Sequence, residues 1–205
     1  MGESSKGAVV NHIMIDLETL GVGTFPALLS IGAVVFDPES GVLPPTPNLE
    51  ASASSWMMRL ISVESCLRLG ATVSDSTLAC WASPELDAAR PGTFGGTYPI
   101  KDAINDLNIF VCHYGAQRVW FHGLTFDVAI LTRYAELVGL SWQFDYRAGR
   151  DTRTLFDLAP EVVREAFADK PSEFIKHNAV WDAWLQAKAV CKVYAELRNC
   201  QWFAG

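Results

Sequence analysis

The sequence predicts a mixed α/β domain, a β-sheet with helices packed on it. Three observations carry that reading. The chain has 205 residues, half of them apolar and 19% charged, which is enough for one domain with a sizeable core. Its first third is dominated by β-branched and apolar runs separated by turn residues. After that, apolar residues recur at helical spacing, interrupted by short β-branched runs.

The elements follow in order. Residues 1–7 read as a disordered tail, leaving 8–205 as the domain. Val9 to Glu18 is β-branched and apolar, and reads as a strand. Gly21, Gly23 and Pro26 punctuate a turn before a second, doubly buried strand from Ala27 to Asp37. These two strands are expected to pair antiparallel. The Pro- and Ser-rich segment 42–53 reads as loop, and Ser54 to Ile61 as a third strand. Val63 to Arg90 reads as helix in pieces, with Ser74 and Ser83 as N-caps and Pro84 at a first helical position. Residues 91–97, PGTFGGT, read as loop. Ile100 to Tyr114 reads as a helix and Arg118 to His122 as a short strand. Phe126, Ala129, Ile130, Tyr134, Leu137 and Val138 lie at helical spacing, and Gly139 ends that helix. Trp142 to Tyr146 is expected to form an edge strand, and Ala179 to Leu197 a long final helix.

Composition narrows the function. Lys plus Arg is 16 against 23 Asp plus Glu, a net charge of −7. Binding of nucleic acid by overall charge alone is excluded; metals or local basic groups must handle any phosphates. Five cysteines without a CxxC spacing favour neither a disulfide framework nor a zinc site, and fit reduced thiols in the cytoplasm. The first ten residues hold no apolar signal core, and no stretch has the length of a membrane span.

Three motifs can carry chemistry. Asp16-Leu17-Glu18 ends the first strand, where alternation puts both carboxylates on one face. Like charges on an otherwise apolar strand repel; either the strand frays into solvent there or a divalent cation lies between them. In His122-Gly123-Leu124-Thr125-Phe126-Asp127, Asp127 falls on the first turn of a helix, where the dipole favours a carboxylate with or without a further role. In His177-Asn178-Ala179-Val180-Trp181-Asp182, Asn178 is a natural N-cap. His177 then stands outside the helix and Asp182 on its first turn, so both can face one cleft.

The ordered set resembles the DEDD superfamily of 3′–5′ exonucleases in its histidine-containing branch, DEDDh. The HGLTFD form, with Gly123 where proofreading members usually carry Asn, is similar to the subgroup of phage exonuclease A and a mycobacterial-type exoribonuclease. Arg150-Asp151-Thr152-Arg153-Thr154 and Trp81 in its CWAS-PE context are similar to that subgroup as well. The resemblance implies a ribonuclease H-like fold with a five-stranded mixed sheet flanked by helices. It also implies that Asp16, Glu18, Asp127 and Asp182 hold two divalent ions, Mg²⁺ or Mn²⁺, and that His177 is the general base. The substrate it implies is a single-stranded RNA or DNA 3′ end, released as nucleoside 5′-monophosphates. Homodimers occur in the family.

Further candidates are Thr19 and Leu20, where the family's backbone and a hydrophobic wedge meet the terminal nucleotide. Trp81 is either a base-stacking ring or a core residue. Arg147, Arg150 and Arg153 either steer phosphates or are simply solvated, with Arg150 the choice among them for substrate binding. RNA or a short single strand is favoured over duplex DNA, because the acidic surface lacks a basic stripe. The alternatives are an exodeoxyribonuclease and a non-catalytic nucleic-acid-binding module.

Overall fold

The computed structural model describes residues 11–48, 55–143 and 145–199. The expected tail at 1–7, and Val9 and Val10 of the first strand, lie outside the described residues. Five strands form one mixed sheet in the order β3-β2-β1-β4-β5. They are β1 (His12–Thr19), β2 (Leu28–Phe36), β3 (Trp56–Leu60), β4 (Arg118–Phe121) and β5 (Gly149–Asp151). The pairs β1–β2 and β2–β3 are antiparallel, while β1–β4 and β4–β5 are parallel. This is the five-stranded mixed sheet expected of a ribonuclease H-like fold.

Alternation along β1 sorts its side chains between two cores. Ile13, Ile15 and Leu17 face a core shared with Ile31, Phe121, Ile104 and Tyr134. That core is covered by α1 (Val63–Leu67), α2 (Asp75–Trp81), α3 (Ile100–His113) and α4 (Leu124–Leu137). Met14 points the other way, with Val34, Phe36 and Trp120, under α5 (Thr152–Phe156), α6 (Pro160–Ala168) and α7 (Ala179–Asn199). Asp16 and Glu18 share the parity of Met14, and so belong to the α7 face.

A glycine decides how close α7 comes. Gly32 pairs with Asp16 across the β1–β2 ladder. A Cβ there would lie 2.2 Å from the Ala179 carbonyl carbon and 2.3 Å from the Val180 nitrogen. Only a bare Cα lets the N-terminal end of α7 rest on the sheet beside Asp16, the close approach that glycine inside a strand often marks.

Three expectations need correction. Among the described residues of 142–146 there is no strand, Phe144 lying outside them: the backbone at Ser141 and Gln143 is bonded by the buried Asn108 side chain, at 2.9 and 3.0 Å, instead of by a strand neighbour. Tyr146–Ala148 is a 3₁₀ turn, and the edge strand is Gly149–Asp151. The 91–97 loop is entered through a 3₁₀ turn, Arg90–Gly92, held by bonds from the Arg90 guanidinium to the carbonyls of Trp81 and Ser83. Ser83 precedes a 3₁₀ turn without making a side-chain cap bond, whereas Ser74 accepts from the Thr77 amide as expected.

Candidate active site

The acidic groups gather where β1, α4 and α7 end or begin. β1 delivers Asp16 and Glu18, just before a register shift between Glu18 and Thr19 breaks the ladder. α4 begins at Gly123, whose φ of +113° turns the chain out of β4 and puts Asp127 on the first helical turn. The start of α7 delivers Asp182. The Asn178 side chain accepts from the Trp181 amide, and its backbone carbonyl accepts from the Asp182 amide at 2.9 Å.

His177 stands just outside that helix with φ +61°, a left-handed conformation uncommon for a side chain that is not glycine. Its backbone N–H donates to Asp182 Oδ2 at 2.7 Å and its carbonyl accepts from Thr93 Oγ1 at 2.9 Å. Asn178 Nδ2 donates to the Gly92 carbonyl at 3.2 Å. The 90–97 loop therefore fastens the histidine turn, and the left-handed backbone is held by bonds on both sides. The imidazole Nδ1 lies 3.8 Å from Glu18 Oε1, and the Trp81 ring meets it edge to face at 6.0 Å.

Ligand atoms of Glu18, His177 and Asp182 all lie within 4.8 Å of one another. Asp16 and Asp127 stand outside that tight cluster but within its electrostatic reach. Burial pushes Asp16 well above the usual carboxylate range, helped by the charges of Glu18, Asp182 and Asp127. Burial and the charges of Asp182 and Asp127 push Glu18 up to about 8. Burial pushes Asp127 up to about 7, with Arg153 pulling the other way. Asp182 rises to about 6, again by burial, with the His177 amide opposing. Burial lowers His177, as does nearby Lys176, so its imidazole stays neutral near pH 7.

Among the described residues, none of these four acids has a Lys or Arg ion-pair partner. Buried or half-buried carboxylates without an ion-pair partner are costly, and four of them in one place fit a divalent cation that prefers hard oxygen ligands. Gln186, one turn beyond Asp182 on α7, donates from Nε2 to Asp16 Oδ1 at 2.9 Å and fixes that carboxylate. The sequence reading had not singled out Gln186 or Thr93; an amide four residues after Asp182 was the available signal for the first.

The remaining candidates divide. Thr19 closes the strand, its hydroxyl donating to the Gly21 carbonyl and its own carbonyl accepting from the Trp81 indole N–H at 3.1 Å. Leu20 is only 4% exposed and Trp81 only 6%. Both are buried in this structure, and the wedge and stacking roles stay proposals for the substrate-bound site. Arg150 donates from Nη1 to the carbonyls of Arg147 and Gly149, and its charge is felt by Tyr194 and by His12 at the far end of β1. Arg153 is the arginine beside the acids, and Asp151 caps two helices at once, accepting from the amides of Leu124 and Arg153 at 2.9 Å each. His122 bonds Thr152 Oγ1 through Nδ1 at 2.8 Å.

Residues 11–194 match a family model described as the 3′–5′ exoribonuclease Rv2179c-like domain. No curated protein matches the sequence significantly. Among solved structures, a zinc-bound E. coli ExoI–ssDNA complex superposes with a TM-score of 0.61 at 10% identity, covering 94% of this chain and 42% of that one. The chain thus spans less than half the length of that exonuclease. The nuclease domain of 3′hExo, described as a DEDDh family member bound to rAMP, gives a TM-score of 0.54 at 8% identity, with 96% of each chain covered. A full-length 3′-exonuclease gives 0.58 at 8% identity, over 93% of this chain and 84% of that one. At these identities the likeness is one of fold, and the fold is ribonuclease H-like.

Proposed function

The chain belongs to the Rv2179c-like 3′–5′ exoribonuclease domain family, a 3′–5′ exonuclease of the DEDDh type, and from that premise we propose how its site works and on what. It removes nucleotides one at a time from the 3′ end of a single strand and releases nucleoside 5′-monophosphates. The observation that carries this reading is the cluster of Glu18, Asp182 and His177 ligand atoms within 4.8 Å of one another, with Asp16 and Asp127 coupled to it by charge.

Asp16, Glu18, Asp127 and Asp182 would hold two divalent ions, Mg²⁺ or Mn²⁺. When bound, the ions supply charge neutralisation at phosphorus and at the departing 3′ oxygen. His177 takes the proton of the attacking water at an imidazole nitrogen, which burial keeps free of a proton near neutrality. The water oxygen bonds to phosphorus, the bond from phosphorus to the 3′ oxygen breaks, and that oxygen takes a proton from solvent water, so that the shortened strand leaves with a free 3′-hydroxyl. Thr93 and Asp182 hold the backbone of His177 so that its ring stays beside Glu18. Gln186 holds Asp16 in one rotamer.

RNA is the favoured substrate. The family description names an exoribonuclease, and the acidic chain has no basic stripe for a duplex. Glu18 and the Thr19 backbone are the groups proposed to read a 2′-hydroxyl.

The test is digestion of matched single-stranded RNA and DNA, labelled at the 5′ end, with Mn²⁺ or with EDTA. A ladder shortening from the 3′ end, abolished by EDTA and blocked by a 3′-phosphate, is expected. Internal cuts, or no cleavage with metal, would overturn the reading. A DNA rate about tenfold above the RNA rate would reverse the preference while leaving the exonuclease in place.

A further inference from the structure

Among the described residues three cations act on the acids, Lys170 and Lys176 on the Asp182 side and Arg153 on the Asp127 side, and of these only Arg153 carries the planar fork suited to a phosphate. Gly123 opens α4 with φ +113°. A Cβ built on it would lie 3.1 Å from Arg153 Nη2 and 3.2 Å from both Cζ and Nη1. Near-equal distances to these three atoms mean that the flat guanidinium lies face-on across the glycine, because an edge-on fork would put Cζ clearly farther away. Asp151 fixes this relation, since its two carboxylate oxygens accept from the amides of Leu124 and Arg153 and tie the starts of α4 and α5 together.

Arg153 is placed unlike its neighbours. Arg150 donates from Nη1 to two backbone carbonyls, its charge reaching His12 at the other end of β1, and Arg147 lies over the Tyr146 ring. Arg153 is solvent-exposed, and among the described residues its guanidinium has no ion-pair partner within 4 Å and no side-chain hydrogen bond. Its charge nonetheless reaches Asp127 and His122. An exposed fork with free donors, laid flat beside the acids, matches the geometry of a phosphate.

We propose that Arg153 is a substrate-binding residue whose guanidinium takes the non-bridging oxygens of a phosphate of the substrate strand on the Asp127 side of the cleft. This rests on the exonuclease reading above. It also gives Gly123 a purpose: a side chain there would be strained at φ +113° and would press on the guanidinium at 3.1–3.2 Å. The arginine from α5 takes over the space beside α4.

The test compares wild type, Arg153→Ala, Arg153→Lys and Gly123→Asn on a single-stranded oligonucleotide with Mn²⁺. Arg153→Ala is expected to raise KM about 10- to 100-fold, the range for lost hydrogen bonds to a charged group, with a much smaller change in kcat. The slope of log affinity against log salt should shrink by about 0.7, one phosphate contact on a single strand. Arg153→Lys keeps the charge without the fork and should fall in between. Gly123→Asn, which presses on the guanidinium with Arg153 intact, should raise KM by less than Arg153→Ala. A melting temperature and Mn²⁺ response like those of wild type establish that each variant folds. Unchanged KM and salt slope would overturn the assignment, as would a loss in kcat alone, which would make Arg153 act through Asp127. If wild type cleaves nothing, it is the exonuclease reading that fails.

Discussion

His12 and Glu18 lie on the same face of β1, at its two ends, and their burial is resolved in opposite ways. At the first end the protein supplies the partner. His12 Nδ1 accepts from the Trp120 indole N–H at 2.9 Å, the rings stack at 5.9 Å, and burial with the Arg118 charge lowers the imidazole to about 4. The group is neutral, bonded and closed. At the other end Glu18 and Asp16 are pushed upward by burial and by the charges of Asp182 and Asp127, and no cation in the described residues answers them. One strand face thus carries a finished polar site and an unfinished one. The unfinished one needs something from outside the chain, which is how buried charge marks function better than burial or charge alone.

The largest expected effect separates chemistry from charge. His177→Ala should lower the exonuclease rate by about 10²–10⁴-fold, the range for a general base. The metal-induced rise in melting temperature should survive, because the four acids remain. Loss of metal affinity with the rate preserved would make His177 a ligand instead. Asp16→Asn should cost about 10³-fold in rate, since the ions contribute several kcal/mol at the transition state and each 1.36 kcal/mol is tenfold. In the metal-free protein the same change should raise the melting temperature, by removing one of the repelling charges. A fall would show that Asp16 is structural.

Gln186→Leu should lower the rate about 10- to 100-fold, as expected when the group orienting a metal ligand is lost. The fold should tolerate it, because Gln186 Oε1 is buried without a partner among the described residues and leucine removes that orphan acceptor. Wild-type turnover in this variant would leave Asp16 positioned by β1 alone. His12→Phe works the other end of the strand. It strands the Trp120 N–H, which costs about 1–3 kcal/mol and lowers the melting temperature by about 2–10 °C. Activity per folded molecule should be unchanged.

The two ends also titrate with opposite sign. The acids bind protons more tightly folded than unfolded, so their contribution to metal-free stability is present below about pH 4 and is lost as pH rises through 6, 7 and 8. His12 binds its proton less tightly folded, so its contribution is present above about pH 6.5 and is lost as pH falls toward 4. Between pH 6.5 and 8.5 only the acid end changes. The metal-free melting temperature should therefore fall across that window, and Asp16→Asn should flatten the fall. A melting temperature that climbs there would contradict the raised carboxylates.

The acid end was legible in the sequence because each of its members sits within a few residues of an element boundary that the sequence also marks. Asp16 and Glu18 end an apolar strand, Asp127 follows a glycine into a helix, and Asn178 announces the turn that His177 occupies. What escaped depends on contacts between distant segments. Thr93 reaches the His177 carbonyl from a loop 84 residues away. The last strand is three residues of Gly-Arg-Asp, made a strand by backbone pairing with β4 and carrying no side-chain pattern. Without that edge in place, Arg150 and Arg153 looked alike. The pairing sends the first toward His12 and leaves the second beside Asp127. Gly32 was readable in principle, as a glycine inside an otherwise apolar strand.

The central claim is that the acid end is completed by divalent cations. Its most direct test is the melting temperature at pH 8 as Mn²⁺ is titrated into metal-free protein, beside Asp16→Asn. A saturable rise of about 5–10 °C is expected at 100 times the dissociation constant, where binding contributes about 2.7 kcal/mol, with a much smaller rise in the variant. An unchanged melting temperature in the wild-type protein, or an equal rise in both, would contradict the account.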